Sequence, residues 1–147
     1  GMLARARAKW PEARFEQIGL QELVFEASFD ALMCTDAMEN VPPEDWPTVV
    51  SAFRRAVRTP GHVYLTVEEI DRSALDVAFA EATAQGVPCV LGELVEGDTA
   101  GYHFYPDRDR VDRWLTDAGF EIVGSAEERL DGYGYHHLVM RTPSSAS

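Results

Sequence analysis

The sequence predicts an α/β domain whose sheet is mostly parallel and closes on an antiparallel hairpin. Three observations predict it. Phe29-Asp30-Ala31-Leu32-Met33-Cys34-Thr35 and His62-Val63-Tyr64-Leu65-Thr66-Val67 are short, nearly continuous apolar runs, the pattern of strands covered on both faces. Helix-period segments separate the strand runs, and such alternation builds a parallel sheet. The last two strand runs are joined by about a dozen residues without a helix signal, so they read as antiparallel neighbours.

The elements follow in order. Residues 2–10, rich in Ala and Arg, read as an amphipathic helix ended by Pro11, a better reading than an organelle transit peptide. Arg14-Phe15-Glu16-Gln17-Ile18 alternates apolar with polar, which predicts a half-buried strand, and Gly19 to Leu23 leaves it through a loop. After the run at 29–35, Pro42-Pro43-Glu44-Asp45 is a helix-start signal. The helix it opens, Trp46 to Arg58, puts Val49, Val50, Phe53 and Val57 on one face, and Thr59-Pro60-Gly61 stops it. Ile70 to Gln85 is helical in composition and ends at Gly86, and residues 86–106 read as irregular. Asp107 to Ala118 is an amphipathic helix with Val111, Trp114 and Leu115 inward, closed by Gly119. Residues 120–123 and 135–140 are the final strands, with a Gly-Tyr-Gly turn at 132–134 leading into the second. Residues 1–142 then form one domain, and 143–147 a loose tail.

Composition narrows the partners. The net charge of −12 argues against nucleic acid, which needs a basic surface. No apolar run approaches the roughly 20 residues of a membrane helix. The two cysteines, Cys34 and Cys89, sit in apolar surroundings typical of strands and read as free thiols in a cytoplasmic protein.

Several segments resemble, in order, the class I S-adenosylmethionine-dependent methyltransferases. Phe29 to Cys34 followed by Ala37-Met38-Glu39-Asn40-Val41 resembles the family's fourth strand and its loop. Phe53 to Gly61 is similar to the helix and Pro-Gly turn before its fifth strand. Ala118 to Val123 resembles the step into its sixth strand, and Met2 to Arg7 the helix after its second. The resemblance covers residues 2–142 and implies a Rossmann-like sheet of strand order 3-2-1-4-5-7-6, here without the first two strands. The family's glycine-rich loop and ribose-binding acid would precede residue 2 and are not in this sequence. Gly19, Asn40 and His62 also depart from the family's usual Asp, His and Gly.

What the resemblance implies about sites follows from these matches. The cofactor would be S-adenosylmethionine, with Leu20 and Gln21 flanking the adenine and Thr35, Asp36 and Met38 lining the methionine end. The alternative for all five is plain loop and packing. Two aromatic and histidine-rich clusters, Tyr102, His103 and Tyr105 with Tyr133, Tyr135, His136 and His137, would lie near the acceptor. There His103, Tyr105, Tyr133 and His136 would hold a small-molecule acceptor, and His103 or His136 would orient or deprotonate it. The competing reading packs these rings over the sheet. Strand alternation puts His136 and His137 on opposite faces. A metal site from His103, Asp98 and Asp107 lacks recognised spacing. Glu68, Glu69 and Asp71, like Glu127 and Glu128, read as solvated acidic surface. Two functional readings remain: a methyltransferase compromised in cofactor binding, or a non-catalytic domain working through protein contacts. In both, an exposed edge at 29–35 implies a homodimer.

Overall fold

The computed structural model describes residues 1–95, 101–130 and 133–144. Its elements are α1 (Met2–Lys9), β1 (Phe29–Cys34), α2 (Trp46–Ala56), β2 (Val57–Glu69), α3 (Arg72–Ala84), β3 (Glu93–Val95), β4 (Tyr102–Phe104), α4 (Arg108–Asp117), β5 (Glu121–Leu130) and β6 (Tyr133–Thr142). Short 3₁₀ turns cover Leu20–Glu22 and Met38–Asn40.

The main sheet has the order β1-β2-β6-β5, with β1 and β2 parallel and the other two pairings antiparallel. This is the 4-5-7-6 portion of the order that the resemblance implied. β2 is longer than the predicted run at 62–67. It begins directly where α2 ends, so Thr59-Pro60-Gly61, with its cis peptide, lies inside the strand. Gly61 is dictated by crowding: a Cβ there would come within 2.9 Å of the Asp30 carbonyl oxygen. Thr142, buried at the end of β6, fastens the same spot. Its hydroxyl accepts from the Gly61 N–H at 2.9 Å and donates to the Arg58 carbonyl at 3.0 Å.

Only one face of this sheet carries helices with a substantial buried surface. α2 buries Trp46, Val49, Val50, Ala52, Phe53 and Ala56, and α4 buries Val111 and Leu115. They form one core with Val63, Leu65 and Val67 of β2 and Leu138 and Met140 of β6. Trp46 stacks on Trp114 at 5.1 Å between ring centres and meets Phe104 edge-on at 6.4 Å. The helix ends behave as their sequences dictate. The Asp107 carboxylate accepts from the Arg110 N–H at 2.8 Å, while Gly119, at φ +84°, turns the chain so that the Phe120 N–H reaches the Leu115 carbonyl. By contrast α3 buries only Leu75, and α1 buries nothing.

Several expectations are corrected. Residues 14–18 pair with no strand, because alternation supplies a face but not a neighbour to bond. β1 is not covered on both faces: it is an edge strand, with Phe29 40% and Met33 73% exposed. The segment 86–106 is not wholly irregular, since β3 and β4 pair within it. Cys34 is buried in β1, but Cys89 lies in a loop; both are free. The tail's residues 145–147 and the turn's Gly132 lie outside the described residues.

Candidate functional site

Ligands of open α/β sheets sit beyond the carboxyl ends of the parallel strands, here the ends of β1 and β2. There Thr35 and Asp36 are exposed and continue β1 into the 3₁₀ turn at 38–40. Asp36 adopts φ +46°, a sparsely populated conformation for a non-glycine residue, and strain of this kind concentrates at functional loops. Its N–H donates to Thr66 Oγ1 at 3.1 Å, tying the loop of β1 to β2. Met38 is only 1% exposed and belongs to the core, so its backbone, not its side chain, faces the loop's surroundings.

Leu20 and Gln21 form the other half of the anticipated cofactor contact. Their turn is closed by Glu22, whose carboxylate accepts from the Gly19 N–H at 3.2 Å. Leu20 packs against the main core, and the exposed Gln21 amide donates to Asp45 at 3.2 Å, at the start of α2. The turn and the strand-end loop thus sit on the same core, through Leu20 and Met38.

The potential at the strand ends is negative. Burial raises the Glu68 carboxyl above its ordinary value, Glu39 and Asp36 add to the rise, and His103 opposes it. The Tyr135 hydroxyl is raised first by burial and then by Glu68, Asp36 and Glu39. Burial, reinforced by Glu39, pushes the Cys34 thiol up to about 11, so it stays protonated and unreactive at neutral pH. Glu68 is therefore half-buried, and not part of a solvated acidic surface.

The aromatic and histidine residues divide into separate groups. His103 and Tyr105 meet, with Nδ1 and Oη 3.1 Å apart. Tyr102 turns away and donates to Glu93 at 2.8 Å. His136 faces the core side of β6, 7% exposed, and its Nδ1 has no partner among the described residues. Burial lowers its pKa, and the neighbouring Arg108 lowers it further. His137 lies on the other face, bonded to the Tyr64 hydroxyl at 2.7 Å and near Glu128 at 3.4 Å. Tyr133 is 46% exposed at the start of β6. Alternation therefore separated the two histidines as expected. Among the described residues no His, Cys, Asp or Glu group could hold a metal ion; Asp98 lies outside them.

Sequence reasoning missed Arg108. Glu69 grips its guanidinium through two bonds, of 2.6 and 2.8 Å, and Glu127 adds a third. These partners hold Arg108 well above its ordinary pKa and Glu127 below its own. Glu69 and Glu127 are thus clamp residues between β2, α4 and β5 and not free surface acids. A cavity of about 200 Å³ beside the clamp is lined by Glu69, Leu75, Tyr105, Pro106, Arg108 and Arg129, among others. No local motif marks this arrangement, because its parts come from distant elements.

The comparisons with solved structures agree with this geometry. A methyltransferase dependent on S-adenosylmethionine, from Methanosarcina mazei, superposes with a TM-score of 0.76 at 16% identity, over 96% of this chain and 76% of that one. This chain has the class I methyltransferase fold. A second similar structure is the 1,6-didemethyltoxoflavin-N1-methyltransferase of Burkholderia thailandensis, with 1,6-didemethyltoxoflavin and S-adenosylhomocysteine bound. Its TM-score is 0.70 at 18% identity, over 97% of this chain and 56% of that one. The magnesium protoporphyrin IX methyltransferase of Synechocystis PCC 6803 gives 0.64 at 14% identity, over 96% and 57%. The chain thus spans three-quarters of the first protein's length and little more than half of the other two. No family model matches the sequence, and no curated protein matches it.

Proposed function

We propose that this protein is a methyltransferase-like domain of the cytoplasm that takes S-adenosylmethionine and a small-molecule acceptor, with cofactor binding weakened in the chain as it stands. The observation that carries this reading is the strained Asp36 loop at the carboxyl end of β1, in a sheet of methyltransferase order. Thr35 and Asp36 would meet the methionine end of the cofactor, and Leu20 and Gln21 would flank its adenine. When bound, the cofactor supplies an electrophilic methyl group on a sulfonium. The negative potential from Asp36, Glu39 and Glu68 favours that cation. Methyl transfer depends chiefly on alignment, which His103 and Tyr105, already bonded to each other, would give an acceptor. His136 is enclosed on the core side of β6, 7% exposed, and is the less accessible of the two histidines proposed for an acceptor.

Weak binding follows from what the residues do not offer. No segment of the sequence matches the family's glycine-rich loop or its ribose-binding acid, the carboxylate that would accept from the ribose hydroxyls. Losing two or more such bonds, at about 1–3 kcal/mol each, costs several factors of ten in affinity. Calorimetry with S-adenosylhomocysteine should find weak binding or none, and a low-micromolar Kd overturns the weakening. Amide shifts on adding S-adenosylhomocysteine in large excess should fall at residues 20–21 and 35–38. Shifts confined elsewhere remove the assigned site.

The second reading is a non-catalytic domain working through protein contacts. The unpaired outer edge of β1 favours it, and in either reading that edge would join two copies into a homodimer. A chain whose amides do not respond to S-adenosylhomocysteine, yet which self-associates, is this second protein.

A further inference from the structure

We infer that the cavity beside the Arg108 clamp is a carboxylate subsite. In it Arg129 holds the anionic end of a monocarboxylic acceptor, and the acceptor's other end lies at Tyr105 and His103. This rests on the methyltransferase reading above and narrows its acceptor to one chemical class.

The sheet leaves room for this cavity by omitting a side chain. Glu69 of β2 stands opposite Gly134 of β6, and Gly134 stands opposite Arg129 of β5. Directly opposed residues share a face, so Glu69 and Arg129 rise from the same side with no side chain between them. A Cβ at Gly134 would come within 3.3 Å of the Glu69 Cβ, closer than ordinary contact. Leu75 of α3, 7% exposed, and the buried Pro106 give the cavity an apolar wall, and Tyr105 completes it. Its volume of about 200 Å³ is below the roughly 300–1,000 Å³ of pockets that enclose a whole ligand, so it takes one end of an acceptor.

Charge decides which end. Asp107 is spent on the Arg110 N–H, Arg108 on Glu69 and Glu127, and Arg72 on Asp76 at 3.2 Å. Of the charged side chains in the lining, Arg129 alone has a guanidinium with no hydrogen bond or ion pair among the described residues. It acts on Asp71 and Glu127 only through space. Both are committed elsewhere, Asp71 to the Ser73 N–H at 3.0 Å and Glu127 to Arg108. A guanidinium offers N–H donors in a planar fork that matches the two oxygens of a carboxylate. A phosphate dianion would turn a second charge toward Glu69, Asp71 and Glu127, which one fork does not offset. One uncommitted arginine suits one negative charge. Tyr105 then links the cavity to the acceptor residues, its Oη lying 3.1 Å from His103 Nδ1. A ligand anchored at Arg129 and lying along Leu75 and Pro106 brings its far end to the pair assigned to align the methyl acceptor.

The experiment titrates the full chain with butyrate at constant ionic strength and follows the backbone amides by NMR. Saturable shifts should fall at residues 69–75, 105–108 and 129. Butanol, with the same apolar stem and no charge, should bind about tenfold more weakly, and propyl phosphate more weakly than butyrate. Arg129→Met, at an exposed position, should keep the rest of the spectrum and weaken butyrate about tenfold. Arg72→Met, which removes an arginine already paired, should change the affinity by about twofold or less. Butyrate shifts that do not saturate or that fall elsewhere overturn the subsite, as does unchanged affinity in Arg129→Met. Butanol binding as well as butyrate overturns the charge assignment, and propyl phosphate binding more tightly overturns the carboxylate class. S-adenosylhomocysteine shifts at residues 20–21 and 35–38 report the cofactor reading separately. A butyrate response without them removes the methyltransferase reading and keeps the carboxylate site, whereas those shifts without a butyrate response overturn the subsite alone.

Discussion

The two faces of β6 have the same backbone and the same residue spacing, yet opposite fates. His136, Leu138, Met140 and Thr142 are buried, whereas Tyr135 and His137 are half-covered and Val139 and Arg141 lie open. The difference comes from α2 and α4, which bring a packed apolar surface to one face only. The helices themselves repeat the lesson. α2 and α3 are of similar length, 11 and 13 residues, but α2 buries six side chains and α3 one. An apolar stripe counts only where a second surface meets it.

The comparison can be broken most strongly at Trp46, where α2, α4 and β4 meet. Trp46→Ala should cost about 3–5 kcal/mol, because the cavity left under Trp114 and Phe104 cannot collapse in a sheet-backed core. Urea denaturation measures it, and a loss under 1 kcal/mol would mean that the packed face is not the stabilising one.

A pair of substitutions on adjacent residues of β6 sharpens the contrast. Leu138→Ala should cost about 2–5 kcal/mol and Val139→Ala about 0.5 kcal/mol or less, since only the first is enclosed. Equal costs would show that the open face is covered in solution.

The Arg108 clamp ties the helix-covered side to β2 and β5 but is partly exposed, its side chain 42% accessible. Arg108→Met should therefore cost no more than about 1 kcal/mol after solvent screening, and less in high salt. A salt-independent loss would mean packing, not charge, was removed.

The smallest effect is a pH dependence from His136. Its folded pKa lies below the ordinary 6.5, first through burial and then through Arg108, with Glu69, Asp112 and Glu127 opposing. The unfolded chain therefore takes up the proton first. Stability contributed by the neutral ring is complete above 6.5 and is lost as pH falls below it, levelling once the folded pKa is passed. His136→Leu should flatten that part of a denaturation-against-pH curve, and an unchanged slope would remove the assignment.

Much of the fold was legible because its signals are local. The Asp107 cap and the Gly119 terminator bound α4 through bonds to residues a few positions away. The apolar faces of the helices at 46–56 and 108–117 carry their period in their own residues, and the apolar runs at 29–34 and 62–67 mark their strands by composition. The alternation at 14–18 misled, because a strand needs a partner that the period cannot supply. The hairpin of β3 and β4 escaped notice, each strand being too short to show a period. Of the candidate site, the loop after β1 was legible through its resemblance to a family, and the separation of His136 from His137 through alternation alone.

The sequence by itself determined which segments form the four helices and the four strands of the main sheet, which faces of α2 and α4 turn inward, and that the order of elements suits a methyltransferase sheet. Only the tertiary structure decided that one face of β1 stays open, that Glu69 and Glu127 close on Arg108, and that Asp36 takes a left-handed turn to bond Thr66. The reason is range. Caps, turns and periodic faces are fixed by interactions over a few residues, whereas an edge, a clamp or a strained loop exists only once distant segments have been brought together.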